Sequence, residues 1–128
     1  MLKKVIFVGL GGALGALMRY SFLVIFPDIP GAFPYTVFAE NMIGSFLLGF
    51  ILILVSNKWK PSWPARSFLG TGLLGSFTTF SSFSLDIVKL IDGDNALIAL
   101  MYLMLSIMVG LSSAFTGMML ARKLGGPS

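Results

Sequence analysis

Four long apolar stretches, separated by short polar connections, are the dominant pattern of this 128-residue chain. They cover about residues 5–26, 35–55, 67–91 and 96–121. Each has at least the roughly 20 residues that a helix needs to cross the core of a bilayer. The connections are rich in residues that end helices. The pattern predicts one all-α membrane domain over residues 1–128, with four transmembrane helices.

The third stretch differs from the others because hydroxyl groups crowd into it. Residues 72–84 read GLLGSFTTFSSFS, with six serines and threonines among residues 76–84. Hydroxyls in hydrocarbon are costly unless they find partners. Phe77, Phe80 and Phe83 recur every three residues and would share one face of a continuous helix. The segment is typical of one that lines a wet or ion-bearing path.

Two glycines, Gly72 and Gly75, precede all six of these hydroxyls and weaken the helix there. A break would free backbone carbonyls in mid-membrane, which is tolerated only where they are buried or bind a ligand. Carbonyl oxygens favour a cation, whereas the edge of an aromatic ring is its positive part and can meet an anion. The segment therefore predicts a third helix that is broken in mid-membrane, with a structural cation beside a path for a small anion.

Composition supports the membrane interpretation and narrows the chemistry. The chain is 56% hydrophobic and 11% charged, whereas soluble domains are about 25% charged. Its mean hydropathy is +0.93. Cysteine and histidine are absent and only five residues are acidic, which excludes disulfides, thiol catalysis and most zinc sites. No nucleophile and base can be paired from such a set, so an enzyme is not expected.

Basic residues predict the orientation. Seven of the nine fall at one predicted end: Lys3, Lys4, Lys58, Lys60, Arg66, Arg122 and Lys123. Only Lys89 falls at the other end, and Arg19 lies within the first stretch. By the positive-inside rule both termini are cytoplasmic, with Trp59 and Trp63 as interfacial anchors. The basic residues stand at segment edges and form no patch, so a nucleic-acid partner is not expected.

The first stretch also allows a cleaved signal peptide, because two lysines precede an apolar run. That alternative is disfavoured, since the run continues past Arg19 to Phe26 and no small-x-small cleavage site follows.

Polar residues in the other stretches each allow two interpretations. Arg19 either carries out a function within the membrane or extends its charge to the interface. Asn41 either coordinates a small anion or bonds across a helix interface. Ser112 and Thr116 lie four residues apart and either extend a hydroxyl track or bond back to their own helix.

Small residues recur at a spacing of four in every stretch, which favours close packing of helices in lipid. The pairs are Gly11 and Gly15, Ser45 and Gly49, Gly72 and Ser76, and Ser113 and Gly117. Four short helices hardly enclose a pore, so a dimer is plausible.

Three blocks of the chain resemble the CrcB/Fluc family of fluoride channels, and the resemblance covers essentially its whole length. They are GLGGALGALMRY (residues 9–20), ENMIGSFLLG (residues 40–49) and GLLGSFTTFSSFS (residues 72–84). The resemblance implies an antiparallel dimer with two anion pathways and a central structural sodium ion that is not transported. It implies passive, fluoride-selective export from the cytoplasm across the cell membrane, which limits fluoride toxicity.

The resemblance also implies roles for particular residues. The sodium ligands fall on the backbone carbonyls of Gly75 and Thr78. The implied pathway residues are Asn41, Phe80, Phe83 and Ser112, with the nearby hydroxyls of Ser81, Ser84 and Thr116. Asp86 matches an acidic residue near the pathway mouth. Arg19 matches the family's arginine in the first helix.

Two features depart from the family pattern. Glu40 stands where relatives usually carry a small apolar residue, and its charge would repel an anion unless it is paired or turned away. The charge bias of seven to one conflicts with dual topology, in which the same chain inserts in both directions. It favours a partner that is a related, oppositely oriented chain over a second copy.

Two other functions stay open on the sequence. A small four-helix proton-coupled multidrug exporter needs a carboxylate in the first helix. The first stretch has none, and Glu40 in the second is the only candidate. A non-transporting assembly subunit would explain the small-residue packing, but it leaves the run of hydroxyls and phenylalanines unexplained.

Overall fold

The chain is helical almost throughout the part that the computed structural model describes, residues 2–57 and 62–125. The elements in chain order are α1 (Leu2–Ile25), α2 (Tyr35–Asn57), α3 (Trp63–Arg66), a π-helical segment (Ser67–Leu74), α4 (Gly75–Phe77), α5 (Phe80–Asp92) and α6 (Ala96–Gly125). The prediction of an all-α fold is therefore confirmed. Trp59, a predicted interfacial anchor, and Lys58 and Lys60, which contribute to the predicted orientation, lie outside the described residues.

Three helices in this described part are long and apolar enough to cross a membrane: Leu2–Ile25, Tyr35–Val55 and Ala96–Leu124. Large apolar side chains remain exposed along them, for example Leu97 at 71% and Leu111 at 69%. A helix surface of this kind is suited to lipid. The third stretch of the sequence is divided among α3, the π-helical segment, α4 and α5.

The helices form two parallel pairs, in which small residues bring backbones together. In the first pair, α1 packs on the π-helical segment, and a Cβ added to Gly15 would meet the carbonyl oxygen of Leu73. In the second pair, α2 packs on α6, and a Cβ added to Gly117 would meet the carbonyl oxygen of Phe46. Close approach of this kind is how helices associate where apolar collapse cannot drive them together.

The loop between α1 and α2 is tied to the start of α2. The Thr36 backbone N–H donates to Asp28 Oδ1 at 3.0 Å, and the Thr36 hydroxyl donates to the Phe26 carbonyl. The Asp28 carboxylate stabilises the amino end of α2, because that end has unpaired N–H groups and a partial positive charge. Beside it, the ring of the fully buried Tyr102 lies 5.2 Å from that of Phe33 and 5.1 Å from that of Phe83. These contacts connect the loop, α5 and α6 at one end of the molecule.

Candidate functional site

Two extended residues separate α4 from α5. Thr78 has a ψ of 149°, and Thr79 has φ −145° and ψ 121°, so neither continues a helix. Thr79 then acts as the N-cap of α5, because its Oγ1 accepts a hydrogen bond from the Ser82 backbone N–H at 3.2 Å. A threonine prefers this extended conformation to a helical one, and its hydroxyl satisfies an otherwise unpaired helix donor.

The side chain of Asn41 holds this extended pair from the neighbouring helix. Its Oδ1 accepts from the Thr79 backbone N–H at 2.8 Å, and its Nδ2 donates to the Thr79 carbonyl at 3.1 Å. One asparagine thus satisfies both backbone groups of a residue that no helix or strand pairs. The amide of Asn41 has a second N–H, which makes no hydrogen bond within the described part of the chain.

The two carbonyls expected to hold a cation have lost their helical donors. In a continuous helix, the Thr79 N–H would bond to the Gly75 carbonyl, but here it donates to Asn41. The Ser82 N–H would likewise bond to the Thr78 carbonyl, but here it donates to the Thr79 hydroxyl. Oxygens released in this way are the groups that unwound membrane helices offer to sodium. The residues present therefore fit a bound sodium ion.

A groove opens beside the extended pair, and we call it the Phe80 groove. Its volume is about 370 Å³. It is lined by Asn41, Met42, Ser45, Thr78, Thr79, Phe80, Phe83, Ser106, Ile107 and Gly110. The rings of Phe80 and Phe83 lie 6.0 Å apart and are tilted by 45°. Phe80 is 80% exposed, so its ring edge is available to a ligand or to another chain.

The profile of a family described as "CrcB-like protein, Camphor Resistance (CrcB)" matches residues 6–118 of the chain. The chain belongs to this CrcB-like family.

Curated relatives match the chain over most of its length. The chain is 41% identical over 118 residues to a fluoride-specific ion channel FluC from Agrobacterium fabrum, covering 91% of this chain and 94% of the relative. It is 36% identical over 124 residues to a FluC of the same description from Flavobacterium psychrophilum, covering 96% and 100%. A fluoride-specific ion channel FluC 2 from Streptomyces avermitilis is 40% identical over 96 residues, which is 75% of this chain but 61% of that longer relative, less than two thirds. These matches and the three apolar helices indicate an integral membrane protein.

The phenylalanines of the CrcB-like chain do not share one face, which corrects the expectation from their spacing. Phe77 is 3% exposed, and its ring lies 5.8 Å from that of Phe22 on α1, edge to face. Phe80 lies on the other side of the extended pair and is exposed. The three-residue spacing predicts one face only for a continuous helix, and the helix stops at Phe77.

The four hydroxyls assigned to a pathway lie in two separate places. Ser81 Oγ is 3.1 Å from Thr79 Oγ1, and Ser84 donates to the Phe80 carbonyl at 2.9 Å, so both stand next to the Phe80 groove. Ser112 and Thr116 lie on the exposed face of α6 and donate to carbonyls of their own helix, at 2.8 and 2.9 Å. Within one chain, they line no wall of the groove.

Glu40, Arg19 and Asp86 do not line the Phe80 groove. Glu40 is fully buried, and neither of its carboxylate oxygens has a hydrogen-bond partner among the described residues. Arg19 on α1 attracts it electrostatically without contacting it. Asp86 lines a separate cavity of about 410 Å³, together with Asp28 and Lys89, at the end of the molecule near the α1–α2 loop.

Two further residues, Thr79 and Ser106, belong to the site, and Tyr102 packs on Phe83 beside it, although the sequence assigned none of the three to the pathway. Thr79 is the residue that Asn41 holds, and Ser106 lines the Phe80 groove. The Tyr102 hydroxyl and the Ser106 hydroxyl are buried without hydrogen-bond partners in the described part of the chain. Tyr102 and Ser106 are four residues apart, as are Ser112 and Thr116, and that spacing was the available signal.

Proposed function

We propose that this CrcB-like chain is a passive, fluoride-selective ion channel that exports fluoride from the cytoplasm and so limits fluoride toxicity. The observation that carries the proposal is the extended pair held by Asn41 where it opens into the Phe80 groove. The relatives named fluoride-specific ion channels support the choice of ion. The function is transport, with no covalent chemistry.

Fluoride is small and strongly hydrated, so a path for it has to replace hydration water with hydrogen-bond donors. The second N–H of Asn41 is such a donor at the groove. The hydroxyls of Ser81 and Ser84 would become donors to the ion by rotating away from Thr79 and from the Phe80 carbonyl, respectively. The ring edges of Phe80 and Phe83 supply a weaker positive potential that does not bind the ion tightly. Weak binding at several positions favours conduction over capture.

Residues outside the groove extend the proposed path. Ser112 and Thr116 lie on an exposed face of α6 and would join the path where a second chain packs on that face. Asp86 would stand near its mouth, beside Lys89. Arg19 would offset the charge of the buried Glu40, which is otherwise unfavourable next to an anion.

A structural sodium ion, not transported, completes the proposal. The carbonyl oxygens of Gly75 and Thr78 would hold it, because their helical donors are bonded elsewhere. When bound, the ion supplies a fixed positive charge close to the anion path.

The proposed assembly is an antiparallel dimer in which each chain crosses the membrane four times, with the third helix broken at Thr78 and Thr79. Both termini of this chain would be cytoplasmic, and those of the oppositely oriented partner chain would lie on the other side of the membrane. The 80% exposure of Phe80 supports a second chain over this groove, because a conduction path requires walls on all sides. The partner is either a second copy or a related, oppositely oriented chain.

Efflux of fluoride from proteoliposomes, followed with a fluoride electrode, tests the function. We expect fluoride efflux without chloride efflux, and loss of fluoride efflux in Phe80→Ile. Phe26→Ile is the matched control, because Phe26 is 59% exposed and lies away from the groove, so its efflux should be unchanged.

Robust chloride efflux, or no fluoride efflux with either type of partner chain present, would overturn the assignment. Normal efflux in Phe80→Ile would remove the role of the ring edge while leaving the channel function intact.

A further inference from the structure

A second groove lies at the opposite end of the molecule from the α1–α2 loop, and we call it the Lys4–Arg66 groove. Its volume is about 510 Å³. It is lined by Lys4, Leu48, Ile51, Leu52, Val55, Trp63, Arg66, Ser67, Gly70 and Thr71. The walls come from the start of α1, the end of α2, α3 and the π-helical segment. None of the residues that carry the proposed fluoride path lines it.

The polar part of this groove is positively charged. Lys4 and Arg66 reach it from two different elements and are both exposed, while Ser67 and Thr71 add hydroxyl groups. Among the described residues that line the groove, none is acidic. Two cations with neighbouring hydroxyls and no opposing carboxylate match a phosphate group.

The opposite wall of the groove is apolar and follows one face of α2. Leu48, Ile51, Leu52 and Val55 recur at helical spacing over about 10 Å of the helix. Leu52 is 63% exposed and Leu48 is 46% exposed, so this wall is uncovered. Trp63, 47% exposed, stands where the basic and apolar parts meet, as tryptophan does at the level of lipid headgroups.

We propose that the Lys4–Arg66 groove binds one anionic phospholipid. Its phosphate lies between Lys4 and Arg66, and one acyl chain lies along the apolar wall of α2. A free anion would leave the apolar wall uncovered. A zwitterionic lipid would bring its positively charged ammonium group close to Lys4 and Arg66. Because an integral membrane protein is surrounded by lipid, this occupant is present at high concentration. The inference is independent of fluoride conduction.

The test uses quenching of Trp63 fluorescence by lipids brominated on the acyl chain. The chain has two tryptophans, so Trp59→Phe leaves Trp63 as the reporter. The protein is placed in phosphatidylcholine vesicles with increasing fractions of brominated phosphatidylglycerol or, separately, brominated phosphatidylcholine. We expect half-maximal quenching at a several-fold lower fraction of the anionic lipid.

Charge variants with a matched control locate the effect. Lys4→Gln and Arg66→Gln should each raise the half-maximal fraction of phosphatidylglycerol about fivefold, the effect of one basic residue on an anionic lipid. Lys3→Gln removes the same charge from the same end of α1, but Lys3 does not line the groove, so the half-maximal fraction should stay unchanged. Equal effects of the two lysine variants would indicate only general surface charge and would overturn the proposal.

A steric pair tests the groove itself. A Cβ added at Gly70 meets nothing within 4 Å, and Gly70 lines the groove, so Gly70→Leu should extend its side chain into the groove without displacing the backbone. Gly9 is equally open but lies outside the groove, which makes Gly9→Leu its control. We expect Gly70→Leu to abolish the preference for phosphatidylglycerol and Gly9→Leu to retain it.

Three results would overturn the proposal: equal quenching curves for the two lipids, a preference that survives Gly70→Leu, or reversal of the quenching by millimolar inorganic phosphate, which would indicate a free-anion site. Each variant is checked for monodisperse elution and unchanged helical circular dichroism. These checks and the quenching do not depend on fluoride flux. A failure of the lipid proposal is therefore distinguishable from a failure of the channel assignment.

Discussion

At the scale of single residues, Asn41 determines the local geometry of the site. Its amide satisfies both backbone groups of Thr79, and the Thr79 hydroxyl in turn caps α5. These bonds also remove the helical donors from two carbonyls and turn Phe80 outward. The two interpretations of Asn41 are therefore compatible. Its amide bonds to Thr79 across the helix interface and still has one N–H that can face an anion.

Removal of the Asn41 amide should destabilise the fold. In Asn41→Ala, the N–H and carbonyl of the buried Thr79 lose their partners, and we expect the free energy of unfolding to fall by about 1–3 kcal/mol. The measurement is reversible unfolding in mixed micelles. Asn95→Ala is the control, because Asn95 donates to the Gly93 carbonyl in an exposed turn and its loss should cost less than about 0.5 kcal/mol. Equal losses for the two variants would contradict the role given to Asn41.

At the scale of elements, helix contacts depend on the absence of side chains at a few positions. Gly117 on α6 lies against the backbone of α2, and Gly15 on α1 lies against the π-helical segment. The two pairs then meet where Gly44 on α2 accommodates the Thr78 side chain. Backbone contact determines how far the helices are shifted along their axes relative to one another. This shift places Asn41 beside Thr79.

Alanine at two glycines should change stability in opposite directions. In Gly117→Ala, the new methyl group would meet the Phe46 carbonyl, and overpacking of this kind costs about 1–3 kcal/mol. In Gly9→Ala, the methyl group meets nothing within 4 Å, and replacing a helical glycine gains about 0.5–1 kcal/mol. Unfolding of the two purified proteins in the same detergent compares them. If Gly117→Ala is as stable as the unchanged chain, α2 and α6 do not pack as described.

At the scale of the whole molecule, the parallel pairing of α2 with α6 and of α1 with the third segment gives each end a distinct charge. Lys4 and Arg66 line one groove at one end, while Asp28 and Asp86, with a single lysine, Lys89, line a cavity at the other. A chain with such different ends favours one orientation in the membrane. The same asymmetry would favour a related chain, rather than a second copy, as the partner in the proposed antiparallel dimer.

Labelling of introduced cysteines tests this orientation cleanly, because the chain contains no cysteine of its own. We expect Lys3→Cys and Lys123→Cys to react with a membrane-impermeant maleimide only after the cells are opened, and Asp92→Cys to react in intact cells. Reaction of Lys3→Cys to equal extents from both sides would refute a fixed orientation and favour a homodimer of dual topology.

The sequence by itself determined the helical fold, the apolar helices and the family. Hydrophobic stretches of bilayer length report directly on the solvent around a helix, and the block at residues 72–84 is specific enough to indicate the family. The sequence also indicated a weak point in the third helix near Gly75, because glycine is a poor helix former; the extended residues are Thr78 and Thr79, whereas Gly75 itself is helical.

Only the tertiary structure decided which polar groups meet. The pairing of Asn41 with Thr79 joins residues 38 positions apart, and no local periodicity predicts it. The separation of Phe77 from Phe80 depends on two extended residues, whereas the three-residue spacing assumes a continuous helix. The Lys4–Arg66 groove likewise forms between distant segments. Sequence periodicity describes the faces of one helix at a time. A site depends on how several helices are positioned relative to one another when they pack.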